Sequence, residues 1–209
     1  MSRVDEKSPK DCAKKRFNFN KFHKKFFFAF STFLLTILSL IFLIWLTLHP
    51  TKPQFSLKDV NIYQLNLSGL NLINSNIRLT LSSNNPNKKV GVYYDVLQVY
   101  ASYKGQIITR QTLLPPFYQE NEETNLLSAS LAGNQVPVAP SFGYEVGRDQ
   151  RIGKLVLTLK VIGRLRWKVG TWVSGRYRFN VNCVAVLPFN SIPSGPLSSK
   201  QGTVCSTIV

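Results

Sequence analysis

A run of 23 uncharged residues at positions 26–48 constrains this 209-residue chain more than any other feature. Sixteen of them are Phe, Leu or Ile. As an α-helix rising about 1.5 Å per residue, the run is roughly 34 Å long, enough for a bilayer core of about 30 Å. Its Ser and Thr hydroxyls are expected to donate to carbonyls of the preceding turn, which leaves no polar group unsatisfied in lipid. We therefore predict one transmembrane helix over residues 26–48.

A cleaved signal peptide is the alternative interpretation of this run. Such peptides have an apolar region of about 7–15 residues and a cleavage site made of small residues. Here the apolar run is longer and is followed by Leu48-His49-Pro50. These features favour an uncleaved signal anchor.

The charges on either side of the run predict its orientation. Residues 1–25 hold nine Lys or Arg against three acidic residues, whereas only Lys52 and Lys58 are basic in the 20 residues after the run. The flanking segment that is richer in Lys and Arg stays in the cytosol. The main domain is therefore expected outside the cytosol, in a single-pass type II arrangement. The predicted segments are a basic cytosolic tail (1–25), the anchor (26–48), a juxtamembrane linker (49–58), a folded domain (59–190) and an extracytosolic C-terminal tail (191–209).

The folded domain has the residue pattern of β-strands. Apolar residues alternate from Leu155 to Val161, from Tyr177 to Leu187 and from Ile77 to Leu81. Turn-forming Asn, Gly and Pro pairs separate these segments, and no long amphipathic helix is evident. A mostly β fold is expected, an antiparallel β-sandwich preceded by one transmembrane α-helix.

The residues of this domain do not suggest catalysis. Both histidines, His23 and His49, flank the apolar run, so the domain lacks the usual general base and the commonest metal ligand. The acidic cluster of Glu120, Glu122 and Glu123 lacks the spacing of a calcium loop. We find no phosphate-binding, dinucleotide-binding or zinc motif. The sequence therefore predicts a non-enzymatic domain without catalytic residues, metal or cofactor.

Cys183 and Cys205 are the two cysteines beyond the apolar run. In an oxidising compartment an intramolecular disulfide is the leading hypothesis, and it would close a loop of about 22 residues. An intermolecular bridge and a free, buried Cys183 are the alternatives.

Asn66-Leu67-Ser68 is an N-glycosylation acceptor sequence on the predicted extracytosolic side. We expect a glycan at Asn66 if its side chain faces solvent.

Basic residues dominate residues 148–178, with nine Lys or Arg against the single acid Asp149. The formal net charge of +16 would by itself suggest nucleic acid, but an extracytosolic location argues against that partner. Arg164, Arg166 and Lys168 alternate with apolar residues, as on the solvent face of a strand. The functional alternative to a merely solvated face is contact with acidic wall polymers or lipid headgroups.

Two motifs resemble a known family. NNPNKKVGVYYD at Asn84–Asp95 and LPPFYQ at Leu114–Gln119 are similar to segments of plant late-embryogenesis-abundant group-2 proteins, in particular the non-race-specific disease resistance/harpin-induced-like membrane proteins. The resemblance covers roughly residues 20–190, and Cys183 and Cys205 also fit it. It implies an immunoglobulin-like or fibronectin-III-like β-sandwich, plasma-membrane residence and a role in responses to pathogens or abiotic stress, without catalytic residues.

Both motifs also have a physical interpretation. Asn85-Pro86-Asn87 suits a tight turn, and Asp95 is a candidate for bonding loop amides. Pro115-Pro116 would hold an extended edge segment that presents Phe117 and Tyr118.

The expected function is that of a plasma-membrane-anchored interaction domain in plant defence or stress. Its expected partners are membrane lipids, other membrane or cell-wall components and further copies of itself or of relatives. The alternative is a membrane-anchored module that binds or transfers a lipid or small apolar ligand in a groove between its sheets.

Overall fold

The computed structural model describes residues 19–48, 50–69, 71–189 and 196–209. Residues 1–18 of the predicted basic tail and residues 191–195 of the predicted C-terminal tail lie outside these ranges. The chain divides into two compact units, Met1–Thr47 and Leu48–Val209.

The described residues of the first unit lie in one helix, α1 (Phe19–Leu48), which begins seven residues before the predicted apolar run. Within it His23–Leu43 is long and apolar enough to cross a membrane. From Phe26 to Leu43 its phenylalanine and leucine side chains are exposed, and Phe27 for example is 70% exposed. Thr32 donates to the carbonyls of Phe28 and Ala29 at 3.0 and 2.9 Å, which confirms the predicted bonding of hydroxyls to the preceding turn. A helix with an apolar surface on every side needs an apolar surrounding.

The described residues of the second unit form twelve strands and one short helix. In chain order they are β1 (Gln54–Ser68), β2 (Leu72–Asn84), β3 (Gly91–Tyr103), β4 (Gln106–Ile107), β5 (Thr112–Leu114), β6 (Phe117–Gln119), β7 (Thr124–Pro137), α2 (Phe142–Ile152), β8 (Lys154–Val169), β9 (Trp172–Val173), β10 (Tyr177–Pro188), β11 (Leu197–Val204) and β12 (Ser206–Ile208).

These strands form two antiparallel sheets. The smaller sheet has the order β11-β1-β2-β7, and the larger has the order β12-β10-β8-β3-β4. Short strands β5 and β6 also pair with β3, and β9 pairs with β8. The predicted mostly β fold behind one apolar helix is confirmed.

One apolar core lies between the sheets. Alternate residues of β8, from Leu155 to Leu165, are fully buried, because successive side chains of a strand point to opposite faces. The ring of Phe55 on β1 stacks against that of Phe179 on β10 at 5.9 Å, which joins the two sheets.

The predicted boundaries of the folded domain are too narrow. Residues 49–58 are not a linker throughout, because β1 begins at Gln54 and both Phe55 and Leu57 are fully buried. The predicted tail also contributes two strands: β11 pairs with β1 and β12 with β10. Both strands pair through their backbones, and their own residues are too weakly apolar to indicate strands.

Helix α2 was not predicted. Phe142 is buried with its ring 5.3 Å from that of Tyr103, and Asp149 accepts a 2.7 Å hydrogen bond from the Tyr103 hydroxyl. Gly153 ends the helix in the left-handed region with φ 77°. Contacts with β3 therefore stabilise a segment of only 11 residues whose own helix propensity is low.

Candidate functional site

The two family-like motifs meet along β3. Asn85 is completely buried, and its side-chain amide donates to the carbonyls of Val90 and Glu120 at 2.8 Å each. The Asn87 side chain makes two hydrogen bonds of 2.7 Å with the backbone of Thr51. Its Oδ1 accepts from the Thr51 N–H, and its Nδ2 donates to the Thr51 carbonyl. The chain bends at Lys88 and Lys89 rather than at Asn85-Pro86-Asn87, where the turn was predicted. Asn85 and Asn87 instead fasten the connection between β2 and β3 to the second motif and to the start of the domain.

Gln119, the last residue of the second motif, is completely buried. Its Nε2 donates to the carbonyls of Ser83 and Glu123 at 2.8 and 3.0 Å, and its Oε1 accepts from the Tyr94 hydroxyl at 3.1 Å. Burial raises the pKa of that hydroxyl, so Tyr94 stays neutral. The role of Gln119 was not predicted, although a glutamine at the end of an otherwise apolar motif indicates a polar contact.

Aromatic rings complete the junction of the motifs. Phe117 stacks on Tyr94 at 4.6 Å, and Tyr118 lies 4.5 Å from Tyr93. Tyr118 also covers Gly91, where any Cβ would collide with its ring. The edge segment is present as predicted, but Phe117 packs against the core. Both motifs therefore build the fold.

The outward face of the larger sheet carries charged residues around a β-bulge in β3. The bulge lies between Tyr94 and Val96 and contains Asp95. Asp95 accepts hydrogen bonds from Arg166 at 2.6, 2.9 and 3.1 Å and from Arg176 at 3.3 Å. The prediction that Asp95 bonds loop amides is wrong, because pairing of β3 with β8 brings Arg166 beside it. The hydrogen bond from Arg166 lowers the pKa of Asp95.

Lys168 and the same Arg166 also lie over tyrosine rings on this face. Lys168 Nζ is 4.9 Å from the ring centre of Tyr118 and 5.7 Å from that of Tyr93. The Arg166 guanidinium is 5.3 Å from the Tyr93 ring. Such contacts are favourable because the ring face is negative, so they restrict where the cations lie.

Arg164 and Arg178 face each other across β8 and β10 beside a shallow depression of about 390 Å³. Its other lining residues are Val96, Gln98, Ile162 and Gly163. Gly163 is required there, because a Cβ would collide with the Val96 carbonyl and the Phe179 ring. Within the described ranges, Arg164 and Arg178 have neither an ion pair nor a side-chain hydrogen bond.

The acidic cluster forms a turn. Glu123 accepts from the Glu120 backbone N–H at 2.6 Å and from Asn125 at 2.8 Å, while Glu122 adopts φ 54°. In the described part of the chain no group of three or more His, Cys, Asp or Glu residues is placed to hold a metal ion.

Cys183 and Cys205 form a disulfide with a Cα–Cα distance of 4.5 Å. Of the pairings that the sequence left open, the intramolecular one is therefore present. The Cys205 backbone N–H also donates to the carbonyl of Phe55 at 2.8 Å. The C-terminal segment is thus held to both sheets.

Asn66 is exposed on β1, beyond the stretch where β11 pairs with that strand. It lines a groove of about 580 Å³ together with other residues of β1, α2 and β11 and with Phe189, which follows β10. The expected glycosylation stays a prediction, with the side chain in an accessible place.

Comparison with known proteins identifies the family. The sequence model for late embryogenesis abundant proteins (LEA_2) matches residues 80–184, which include both motifs completely. The chain is 56% identical to NDR1/HIN1-like protein 26 of Arabidopsis thaliana over the full length of both chains. It is 44% identical to NDR1/HIN1-like protein 12 over 74% of each chain, and 40% identical to NDR1/HIN1-like protein 1 over 89% of this chain and 90% of that relative, both from the same plant. The chain therefore belongs to the late embryogenesis abundant group-2 family, among its NDR1/HIN1-like members.

Proposed function

We propose that this protein is a single-pass type II protein of the plasma membrane that acts in plant defence or stress responses through its extracytosolic β-sandwich. The observation that carries the proposal is α1, whose apolar side chains are exposed over a length that suits a bilayer. The family and the names of its Arabidopsis relatives support a role in defence or stress.

The orientation rests on charge. The nine basic residues before the apolar run favour a cytosolic N-terminus, and the sandwich then lies outside the cytosol. The disulfide supports the same orientation, since such bonds persist in oxidising compartments.

The proposed role is non-enzymatic. LEA_2 and NDR1/HIN1-like proteins are not enzyme families. The buried polar residues of the two motifs bond one another and the backbone, as Gln119 and Asn85 do. The proposed partners are membrane lipids, other membrane or cell-wall components, and further copies of this chain or its relatives.

Protease protection in plant protoplasts tests the orientation. The full chain carries one epitope before Met1 and another after Val209. External protease should remove the C-terminal epitope from intact cells and leave the N-terminal one. A C-terminal epitope that is digested only after the plasma membrane is permeabilised would contradict the proposal.

A matched variant tests the cause of the orientation. Replacing Lys21, Lys24 and Lys25 by Gln removes the basic residues nearest the apolar run, and a fraction of molecules should then insert the other way round. Replacing Lys52, Lys58 and Lys88 by Gln is the control, because these cations lie after the run. It should leave the orientation unchanged.

A membrane-anchored lipid-binding module is the second candidate function. The space between the sheets is filled by core side chains, but the groove beside Asn66 is lined partly by apolar residues, including Leu65, Val146 and Phe189. Lipid that co-purifies with the full chain through detergent exchange, and is lost in Val146→Asp, would support this candidate. Equal lipid content in both proteins would count against it.

A further inference from the structure

The outward face of β8 presents a row of cations, which we call the basic row: Lys160, Arg164, Arg166 and Lys168. Alternate side chains of a strand share a face and are about 6.6 Å apart, so the row extends over roughly 26 Å. Arg178 on the neighbouring strand lies directly opposite Arg164. The positive charges thus follow a line.

The cations of the basic row differ in what surrounds them. Asp95 bonds Arg166, and two tyrosine rings lie under Lys168. In the part of the chain that the structure describes, Arg164 and Arg178 have no such contact. Like charges directly opposite each other on neighbouring strands repel, so this pair is unfavourable until an anion lies between them.

The depression beside the two arginines suits a carboxylate. A guanidinium donates two parallel hydrogen bonds to a carboxylate, and two of them facing one recess can both donate to a single group. The Gln98 amide adds a polar group, while Val96 and Ile162 contribute an apolar surface. A ring that has an apolar face and a carboxylate substituent matches these neighbours.

The backbone beneath the depression is closely packed. The bulge brings the Val96 carbonyl against Gly163, and Phe179 packs under the same glycine. The paired strands therefore fix the backbone positions from which Arg164 and Arg178 extend.

We propose that the basic row and Arg178 bind a linear acidic polysaccharide of uronate units, with one carboxylate seated between Arg164 and Arg178 and the chain running along β8. This assignment rests on the proposed function, since an extracytosolic domain is the one that meets such a polymer. The linear row matches a linear polyanion.

An anionic lipid surface is the competing partner, because the exposed Trp172 on β9 lies beside the Lys168 end of the basic row. Two features favour the polymer instead: the cations follow a line, and Arg164 and Arg178 flank a recess lined by Val96 and Ile162.

The test measures polygalacturonate binding by the full chain in nanodiscs of uncharged lipid. Wild-type protein should bind polygalacturonate and bind fully methyl-esterified polymer at least about tenfold more weakly, because the ester removes the charge. The double variant Arg164→Gln/Arg178→Gln should lose about tenfold or more in affinity for the unesterified polymer.

Arg110→Gln/Arg151→Gln is the matched control. Both arginines are exposed and lie off the basic row, so this variant removes the same charge and should bind within about twofold of wild type. Near-ultraviolet circular dichroism of every variant reports whether the sandwich is folded.

Three results would overturn the inference: equal loss in both double variants, no difference between free and esterified polymer, or tighter binding to phosphatidylserine vesicles than to polygalacturonate. The last would assign the face to lipid. A cytosolic C-terminal epitope would refute the proposed orientation while leaving this binding measurement intact, so the two failures are distinguishable.

Discussion

At the scale of single residues, Gln119 shows how a polar side chain stabilises an apolar core. Its fully buried amide donates hydrogen bonds to two carbonyls and accepts one from a tyrosine hydroxyl. Unsatisfied buried polar groups are costly, at about 1–3 kcal/mol each. The junction between the two motifs therefore depends on this side chain.

We predict that Gln119→Leu lowers the free energy of unfolding by about 2–4 kcal/mol, because it keeps the volume and removes these hydrogen bonds. Chemical denaturation of the full chain in neutral detergent, followed by tryptophan fluorescence, measures this change. Gln111→Leu replaces an exposed glutamine and should alter the same quantity by less than about 0.5 kcal/mol. Similar values for both variants would contradict the role of Gln119.

Asp95 predicts a dependence of stability on pH. Arg166 lowers its pKa from the ordinary value of 3.8, so the folded state favours the carboxylate. The resulting stabilisation is fully present above about pH 4 and is lost as the pH falls through the lowered pKa. Asp95→Asn should therefore be less stable than wild type at pH 7, and the difference should shrink below pH 4.

Urea denaturation at a series of pH values measures this difference. Glu120→Gln removes an exposed carboxylate and should match wild type at pH 7. If the gap between wild type and Asp95→Asn stayed constant down to pH 2, the ion pair would not be its source.

The sequence predicted the motifs but not the contacts within them. Asn85-Pro86-Asn87 could be predicted to connect two strands because its chemistry is local, although the chain bends just after it. The partners of Asp95 and Gln119 depend on strand register, which brings together residues as far apart in the chain as Asp95 and Arg166. The residues near Asp95 or Gln119 in the sequence therefore do not indicate which distant residue each side chain contacts.

At the scale of secondary structure, strands with one buried face were predictable. β2, β8 and β10 alternate apolar and polar residues because one face packs on the core. β1 shows the same alternation from Phe55 onward, but its proximity to the apolar run suggested a linker. β11 and α2 depend on backbone pairing and tertiary contacts, so their own residues indicate them poorly.

The disulfide stabilises the last strands of the sandwich. Linking Cys183 to Cys205 closes a loop of 22 residues. Closing such a loop lowers the conformational entropy of the unfolded chain, which stabilises the folded state by about 3 kcal/mol. Cys205→Ser should lower the free energy of unfolding by about that amount and expose β11 and β12 to proteolysis.

Limited proteolysis and denaturation under non-reducing conditions check this expectation. Reduced wild-type protein is the control and should behave like Cys205→Ser. A variant as resistant as oxidised wild type would show that β11 and β12 are held by their hydrogen bonds alone.

At the scale of the whole molecule, the β-sandwich contains its own core. The buried apolar residues of the described chain run from Phe55 to Cys205, and none belongs to α1. We predict that residues 50–209 fold and stay soluble without detergent, whereas the full chain requires it. Gel filtration and near-ultraviolet circular dichroism measure both properties, and a fragment that aggregates when oxidised would contradict the prediction.

The pairing of β1 has a mechanical consequence for an anchored protein. Any tension from the preceding helix reaches the sandwich through β1, which is bonded to β2 on one side and to β11 on the other. Antiparallel hydrogen bonds run perpendicular to the strands, so a pull along β1 shears many of them together rather than opening them one at a time. β1, the strand that would bear tension from the helix, is thus among the strands that resist extraction most.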